Sequence, residues 1–283
     1  MSNELVRLYT PHVDEAFKAE SKRTLLTNTD YDWTGAHSII LWKLATAPMN
    51  DYKRNRFATD EESGSVALTR YGELYDLATQ TEELILKKDR SFIFNIDRLD
   101  EDETGGGLES ASALARQIRE VVIPEIDKYT YNVMVTGAGT TATAAALTKA
   151  NVYESIIAGT KALDDAEVPD TERVLVVTPE TYNLLKQATE FDHTDIGNEL
   201  KQLGVVAVLD GMNVIKIPAA RLPGKFGFMI AHPCATVAPV KLDDYGVHND
   251  TPLASGTIVT GRICYDAFVL DNKKKGIYYH PVA

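Results

Sequence analysis

The chain has 283 residues, 44% hydrophobic and 25% charged, enough to bury one large core or two smaller ones. Its 29 basic residues against 41 acidic ones leave a net charge of −12. That argues against direct nucleic-acid recognition, which needs dense positive surface to displace counterions from phosphate. No stretch approaches the roughly 20 consecutive apolar residues of a membrane helix. The opening MSNELVRLYTPHVDEAFKAE is too charged for a secretory signal, so the chain is read as folding in a cytoplasm. Copies of so acidic a protein repel one another, and any assembly of them must be held by buried area or local positive patches.

In chain order, residues 1–34 are polar with no sustained period, an arm that lies on something else, with a short helix expected around PHVDEAFKAESK. AHSIILWKLATAP (36–48) predicts a strand stopped by Pro48. Residues 49–65 are charges and turn formers, too long a structureless loop to be idle, and VALTRYGELYDL then reads as extended. The three together predict a protruding hairpin. A lone two-stranded ribbon is marginal in water, so its resting place is expected to be a neighbouring molecule. EELILKKDRSFIFNID (82–97) alternates as one half-buried strand, with Leu84, Leu86, Phe92, Phe94 and Ile96 on one face. RLDEDETGGG ends it.

A helix is predicted next, over about 107–135 and capped near Thr104. Leu108, Ala111, Ala115, Ile118, Val122, Ile126, Tyr129 and Val133 recur at three- and four-residue steps. At 1.5 Å per residue it would be ~40–45 Å long, with Pro124 interrupting it. From NVYESIIAGTKALDDAEVP onward the pattern turns to α/β: helix 151–166, strand 173–179, helix ETYNLLKQATEF, then strands near GVVAVLDG and MNVIKIP. The tail GTIVTGRICYDAFVLDNKKKGIYYH reads as two strands joined by DNKKKG.

Gly137–Ala142 spells G-x-G-x-x-A, which after a strand would mark a dinucleotide site. Here the predicted helix precedes it, another helix occupies the place of the second strand, and Glu154 and Asp165 fall on the wrong element. The small residues are read instead as a flexible joint between subdomains. Asp97, Asp100, Glu101, Asp102 and Glu103 lack calcium-loop spacing and suit a helix start. His232 and Cys234, in AHPCA, are read as a buried strand pair, and Cys234 and Cys264 as buried reduced thiols. His12, His37, His193, His248 and His280 show no metal spacing. The expected sets of catalytic, cofactor-binding and metal-ligating residues are therefore empty. The lysines of DNKKKG fit either a solvated tip or a contact with acids of another copy such as Asp60, Glu61 and Glu62.

The order of these elements resembles the major capsid proteins of tailed bacteriophages, the Hong Kong 97 fold. RSFIFNIDRLDEDETGG resembles the strand and acidic turn leading into that family's spine helix. REVVIPEIDKYTYNVM is similar to the spine-helix segment around Arg119 and Pro124-Glu125-Ile126-Asp127, and the stretches from Asn151 and Gly261 resemble the A-domain opening and the closing strands. The resemblance implies an α+β fold: an N-terminal arm (1–34), an E-loop hairpin (35–80), a P domain beginning with the spine helix (81–138), an A domain (139–235) and P-domain return strands (236–283). It implies a structural, non-enzymatic protein whose pentamers and hexamers tile an icosahedral virion shell assembled in the host cytoplasm.

The partners so implied are further copies, a separate scaffolding protein, a portal, and packaged double-stranded DNA held without sequence-specific contact; whether a decoration protein is added stays open. No membrane is implied. With about 34 residues before the hairpin, no room is expected for a cleavable scaffolding segment. Some members cross-link a lysine to an asparagine. Lys43 and Lys53 with Asn249 are the candidates, but SGTIVTGRICY lacks the assisting acid, so no cross-link is expected. Two alternatives stay open: an encapsulin-like compartment shell, and a nucleotide-binding α/β enzyme using Gly137–Ala142.

Overall fold

The computed structural model describes residues 20–28, 38–44, 46–52, 54, 71, 79–99, 110–188, 205–249 and 255–283. They fall into two compact units, Gly35–Leu86 and the rest of the chain.

The smaller unit is a two-stranded antiparallel ladder of β1 (Ser38–Leu44) and β2 (Thr79–Ile85), with Ser38 opposite Ile85 and Leu44 opposite Thr79. Lys43 and Glu82 form an ion pair along it at 2.9 Å. Toward the tip, Tyr52 and Tyr71 meet edge to face, ring centroids 5.1 Å apart. Of the expected return strand VALTRYGELYDL only Tyr71, in a turn, is among the described residues, and the described pairing covers Thr79–Ile85. The single strand expected over 82–97 is two, because β3 starts afresh at Lys88 (Lys88–Asp97). The Lys87 amide leaves the ladder to donate to the Asp266 carboxylate at 2.8 Å. The two-residue gap preserves parity, so alternation alone runs through the break.

In the larger unit a continuous helical run spans residues 110–136. It comprises α1 (Ser110–Gln117), a π-helical turn (Ile118–Val122) and α2 (Ile123–Thr136). Pro124 therefore does not interrupt the helix. Proline lacks an amide and crowds the carbonyl four residues back, and the widened turn immediately before it relieves both conflicts. The burial pattern also departs from a single stripe. Val122 and Ile126 pack with Phe92, Ile263 and Tyr265, whereas Tyr131 and Met134 pack with Val174, Val176, Ile215 and Met229. Ala115 is exposed, and Tyr129 and Val133 are half-buried. The helix lies between two sheets and covers each with a different face. Thr104, Leu108 and the Ala111 side chain lie outside the described residues.

The first of those sheets is antiparallel, in the order β10 (Val240–Asn249), β11 (Gly256–Tyr265), β3. Gly261 stands opposite Phe92, and a Cβ on it would lie 2.3 Å from that ring. The absent side chain is what lets the ring lie across the sheet.

The second sheet is mixed and six-stranded: β4 (Thr140–Thr141), β13 (Ile277–Pro281), β8 (Phe226–Ala231), β5 (Val174–Val177), β7 (Met212–Lys216), β6 (Val205–Leu209). Every residue of β5 is buried because both faces are covered. Leu175 and Val177 meet α3 (Val152–Asp164) and α4 (Pro179–Gln187) through Ile156, Leu163, Tyr182 and Leu185. Val174 and Val176 meet α2. Thr178 caps α4, its hydroxyl accepting from the Thr181 amide at 3.1 Å.

The tail is not a hairpin. β11 belongs to the three-stranded sheet and β13 to the six-stranded one. Between them β12 (Phe268–Val269) pairs with β9 (Thr236–Val237), and DNKKKG forms a 3-10 helix (Asp271–Gly276). Nor do His232 and Cys234 share a strand, since Pro233 starts a 3-10 turn over Pro233–Ala235. Both cysteines are half-buried free thiols. Among the described residues no helix is long and apolar enough to cross a membrane.

Candidate assembly interface

The segment similar to a spine helix carries the polar anchors of the structure. Pro124 and Glu125 follow the π-helical turn directly, where α2 continues the helical run. Glu125 faces outward and pairs with Arg90 of β3 at 2.9 Å. Asp127 faces inward and is 1% exposed. Its carboxylate accepts from the Ser21 hydroxyl at 2.6 Å and from Arg221 Nη1 at 2.9 Å. Burial raises the Asp127 carboxyl above the usual aspartate range, while Ser21, Arg221 and Arg23 pull it back down. Arg221 ends the 3-10 turn Ala219–Arg221 and also donates to the Glu20 carbonyl at 3.3 Å.

A second anchor sits where β3 begins. Asp266 is 3% exposed and accepts from the Tyr129 hydroxyl at 2.7 Å, the Lys87 amide at 2.8 Å and the Ala267 amide at 2.8 Å. A buried carboxyl group needs such donors to replace the hydrogen bonds it loses with water. Burial and this acid push the Tyr129 hydroxyl far above the ordinary tyrosine range. One side chain thus ties the spine helix to the backbone at Lys87, the residue that follows the hairpin unit.

Gly137 and Gly139 are not a loose joint. A Cβ on Gly137 would lie 2.8 Å from the Val269 side chain, and one on Gly139 would lie 2.5 Å from the Lys274 backbone. The Gly139 amide donates to the Lys274 carbonyl at 2.9 Å, and β4 then pairs parallel with β13. These glycines serve close approach. α2 precedes them and α3 starts only at Val152, so the strand–turn–helix of a dinucleotide site is not formed.

No chemistry converges elsewhere among the described residues. No group of three His, Cys, Asp or Glu could hold a metal there. His232 Nδ1 accepts from the Cys234 amide at 3.2 Å rather than facing the thiol. Burial lowers the His232 imidazole and raises the Cys234 thiol, the reverse of an activated pair. His280 is buried against Phe228 and His248 is exposed beside Thr260. Asp97 Oδ1 accepts from the Leu99 amide at 2.9 Å. Asp100 to Glu103, His12, His37, His193, Lys53, Asp60, Glu61, Glu62 and the Asn249 side chain lie outside the described residues. The three lysines of the 3-10 helix are exposed, and Lys274 pairs with Asp271 at 2.6 Å.

What the surface does offer is material for contact. β3, β10 and β6 are sheet edges among the described strands. Large apolar side chains are exposed in both units: Ile40, Met49, Tyr52 and Tyr71 in the hairpin, and Ile93, Leu99, Val121 and Val247 in the larger unit. A cleft of about 140 Å³ runs between the spine helix and β3, with Phe92, Val121, Ile126 and Ile263 in its wall.

A two-stranded hairpin unit and, in the larger unit, a long helix bridging two sheets are the elements of a Hong Kong 97-type fold. The model of the phage capsid protein family matches residues 85–279, and the chain belongs to that family. No curated protein matches it. Among solved structures, one titled Mycobacterium phage Che8 is similar with TM-score 0.75 and 18% identity, covering 99% of this chain and 98% of that one. The capsid of cyanophage P-SCSP1u is similar with TM-score 0.70 and 15% identity over 98% and 93% of the two chains. The mature capsid of bacteriophage PhiM1 gives TM-score 0.70 and 11% identity over 99% and 92%. The protein is a structural major capsid protein of a bacteriophage virion, and copies of it form the shell.

Proposed function

We propose that the chain assembles through pentamers and hexamers into an icosahedral shell around double-stranded DNA, without enzymatic activity of its own. In this reading the arm, E-loop, P domain, A domain and return strands keep the boundaries 1–34, 35–80, 81–138, 139–235 and 236–283. Assembly takes place in the host cytoplasm. A scaffolding protein guides it, a portal occupies one vertex, and the DNA is held without sequence readout.

The observation that carries the reading is the hairpin. Among the described residues its ladder has two strands and Ile40 stays 54% exposed on it, an arrangement that gains stability against another surface. Heterologous contacts of this kind close rings. Replacing Ile40 with aspartate is expected to leave the unassembled subunit's thermal midpoint unchanged and to remove five- and six-fold rings and shells from negative-stain images. Shells of normal number and size from that variant would refute the role given to the hairpin.

A further inference from the structure

We propose that residues 20–28 of the N-terminal arm are an anchor on their own chain, keyed by Asp127, and that contact with another copy falls to the arm outside that segment. The inference rests on the shell-subunit reading and sharpens the expectation that the whole of residues 1–34 lies on something else.

The segment makes directional bonds to four separate parts of the fold. The Ser21 hydroxyl donates to Asp127 on α2. The Glu20 carbonyl accepts from Arg221, which holds the other oxygen of the same carboxylate. Lys22 Nζ donates to the Lys216 carbonyl at the end of β7, 3.3 Å away. Further on, the Asn28 amide donates to the Thr236 carbonyl at 2.8 Å, and Asn28 bridges Val237 in parallel fashion. Between these ties a short 3-10 turn (Arg23–Leu25) presents Leu26, 0% exposed, to the cluster of Tyr131, Met134, Ile217 and Met229.

Leu26 belongs to the same cluster that covers one face of the six-stranded sheet. Lifting the segment would open that face and leave Asp127 with Arg221 alone. A tethered segment meets its seat at an effective concentration in the millimolar range, so exchange with a neighbour's seat carries no gain from mass action. Each residue before Glu20 adds at most ~3.3–3.6 Å of reach, measured from this fixed point. Asp127 is then a positioning residue, setting where the arm leaves the subunit.

The test uses shells assembled from an equal mixture of ¹⁴N- and ¹⁵N-labelled full-length chains, treated with a short amine cross-linker. Lys22–Lys216 peptide pairs are expected to be all-light or all-heavy, exceeding mixed pairs at least tenfold. Mixed pairs making up half of the total would show an exchanged arm and overturn the proposal. Asp127→Asn is read by hydrogen exchange on the unassembled subunit. The Asn28 amide is expected to exchange at least tenfold faster while amides of β5 and β8 keep their protection. Equal acceleration everywhere, or none at Asn28, would remove Asp127 as the key. A chain that forms no shells at all sinks the capsid reading instead, and the exchange experiment still judges the anchor.

Discussion

Substituting Gly139 with alanine separates a close-approach glycine from a flexible one. The added methyl would sit 2.5 Å from both the carbonyl carbon and oxygen of Lys274 and 2.6 Å from the Lys275 amide nitrogen. All three are backbone atoms, so no rotamer change relieves the overlap. The Asp271–Gly276 turn must move instead. Its ties are the Gly139 amide to the Lys274 carbonyl at 2.9 Å and the His232 amide to the Gly276 carbonyl at 2.9 Å. Overpacking costs about 1–3 kcal/mol, and losing one of those bonds about 1 kcal/mol more. The sum, about 2–4 kcal/mol, lowers the melting temperature by about 4–16 °C in a chain of this size. The assay is thermal unfolding of the unassembled subunit, with Gly224→Ala as control, where a Cβ meets nothing within 4 Å. If Gly139→Ala unfolds within about 0.5 kcal/mol of the parent, as surface changes do, the glycine is a joint and the packing argument fails.

Asp266→Ala strands three donors and frees the chain at Lys87, so the subunit should lose about 2–4 kcal/mol by denaturant titration; a loss under 1 kcal/mol would contradict the anchor. Met134→Ala empties a fully buried site between α2 and the six-stranded sheet and should cost about 2–5 kcal/mol in the same titration. Arg262→Ala breaks a bidentate pair with Asp89, but both side chains are about half exposed, so the change in a denaturant titration should be small and shrink further in high salt; a large, salt-independent loss would contradict this. Burial lowers the pKa of both His232 and His280 below the ordinary 6.5. The unfolded chain therefore takes up protons near 6.5 that the folded chain resists. Stability is complete above that value and falls as pH drops below it. His280→Phe, which can keep the stack on Phe228, should flatten the fall in melting temperature between pH about 7.5 and about 5.5; an unchanged slope would remove His280 from the account.

The long helix and the α/β unit were legible in the sequence because their patterns are local. The three- and four-residue steps from Ala115 to Val133 set the helix, and RVLVVTP between two helical stretches set the central strand. Three features escaped because they depend on distant partners. Parity could not separate β2 from β3, since the break at Lys87 is made by Asp266, far along the chain. The π-helical turn was hidden because proline announces only that an amide is missing, and what the preceding turn does about it is decided by packing. The second buried stripe, Asp127, Thr130, Tyr131 and Met134, was in fact readable at helical spacing. Its leading residue is an acid, which a pattern of apolar residues does not contain. That acid and Arg221 are the polar centre of the arm's seat, and nothing in the arm's own sequence shows that Leu26 would be buried there.

The most direct test of the capsid account is the mass and shape of what the expressed chain builds, by size-exclusion chromatography with light scattering and negative-stain microscopy of the peak. Closed shells, or five- and six-fold rings that close on adding scaffolding protein, are the predicted result. A monodisperse monomer or dimer that stays small with scaffolding protein and crowding agent present would contradict it.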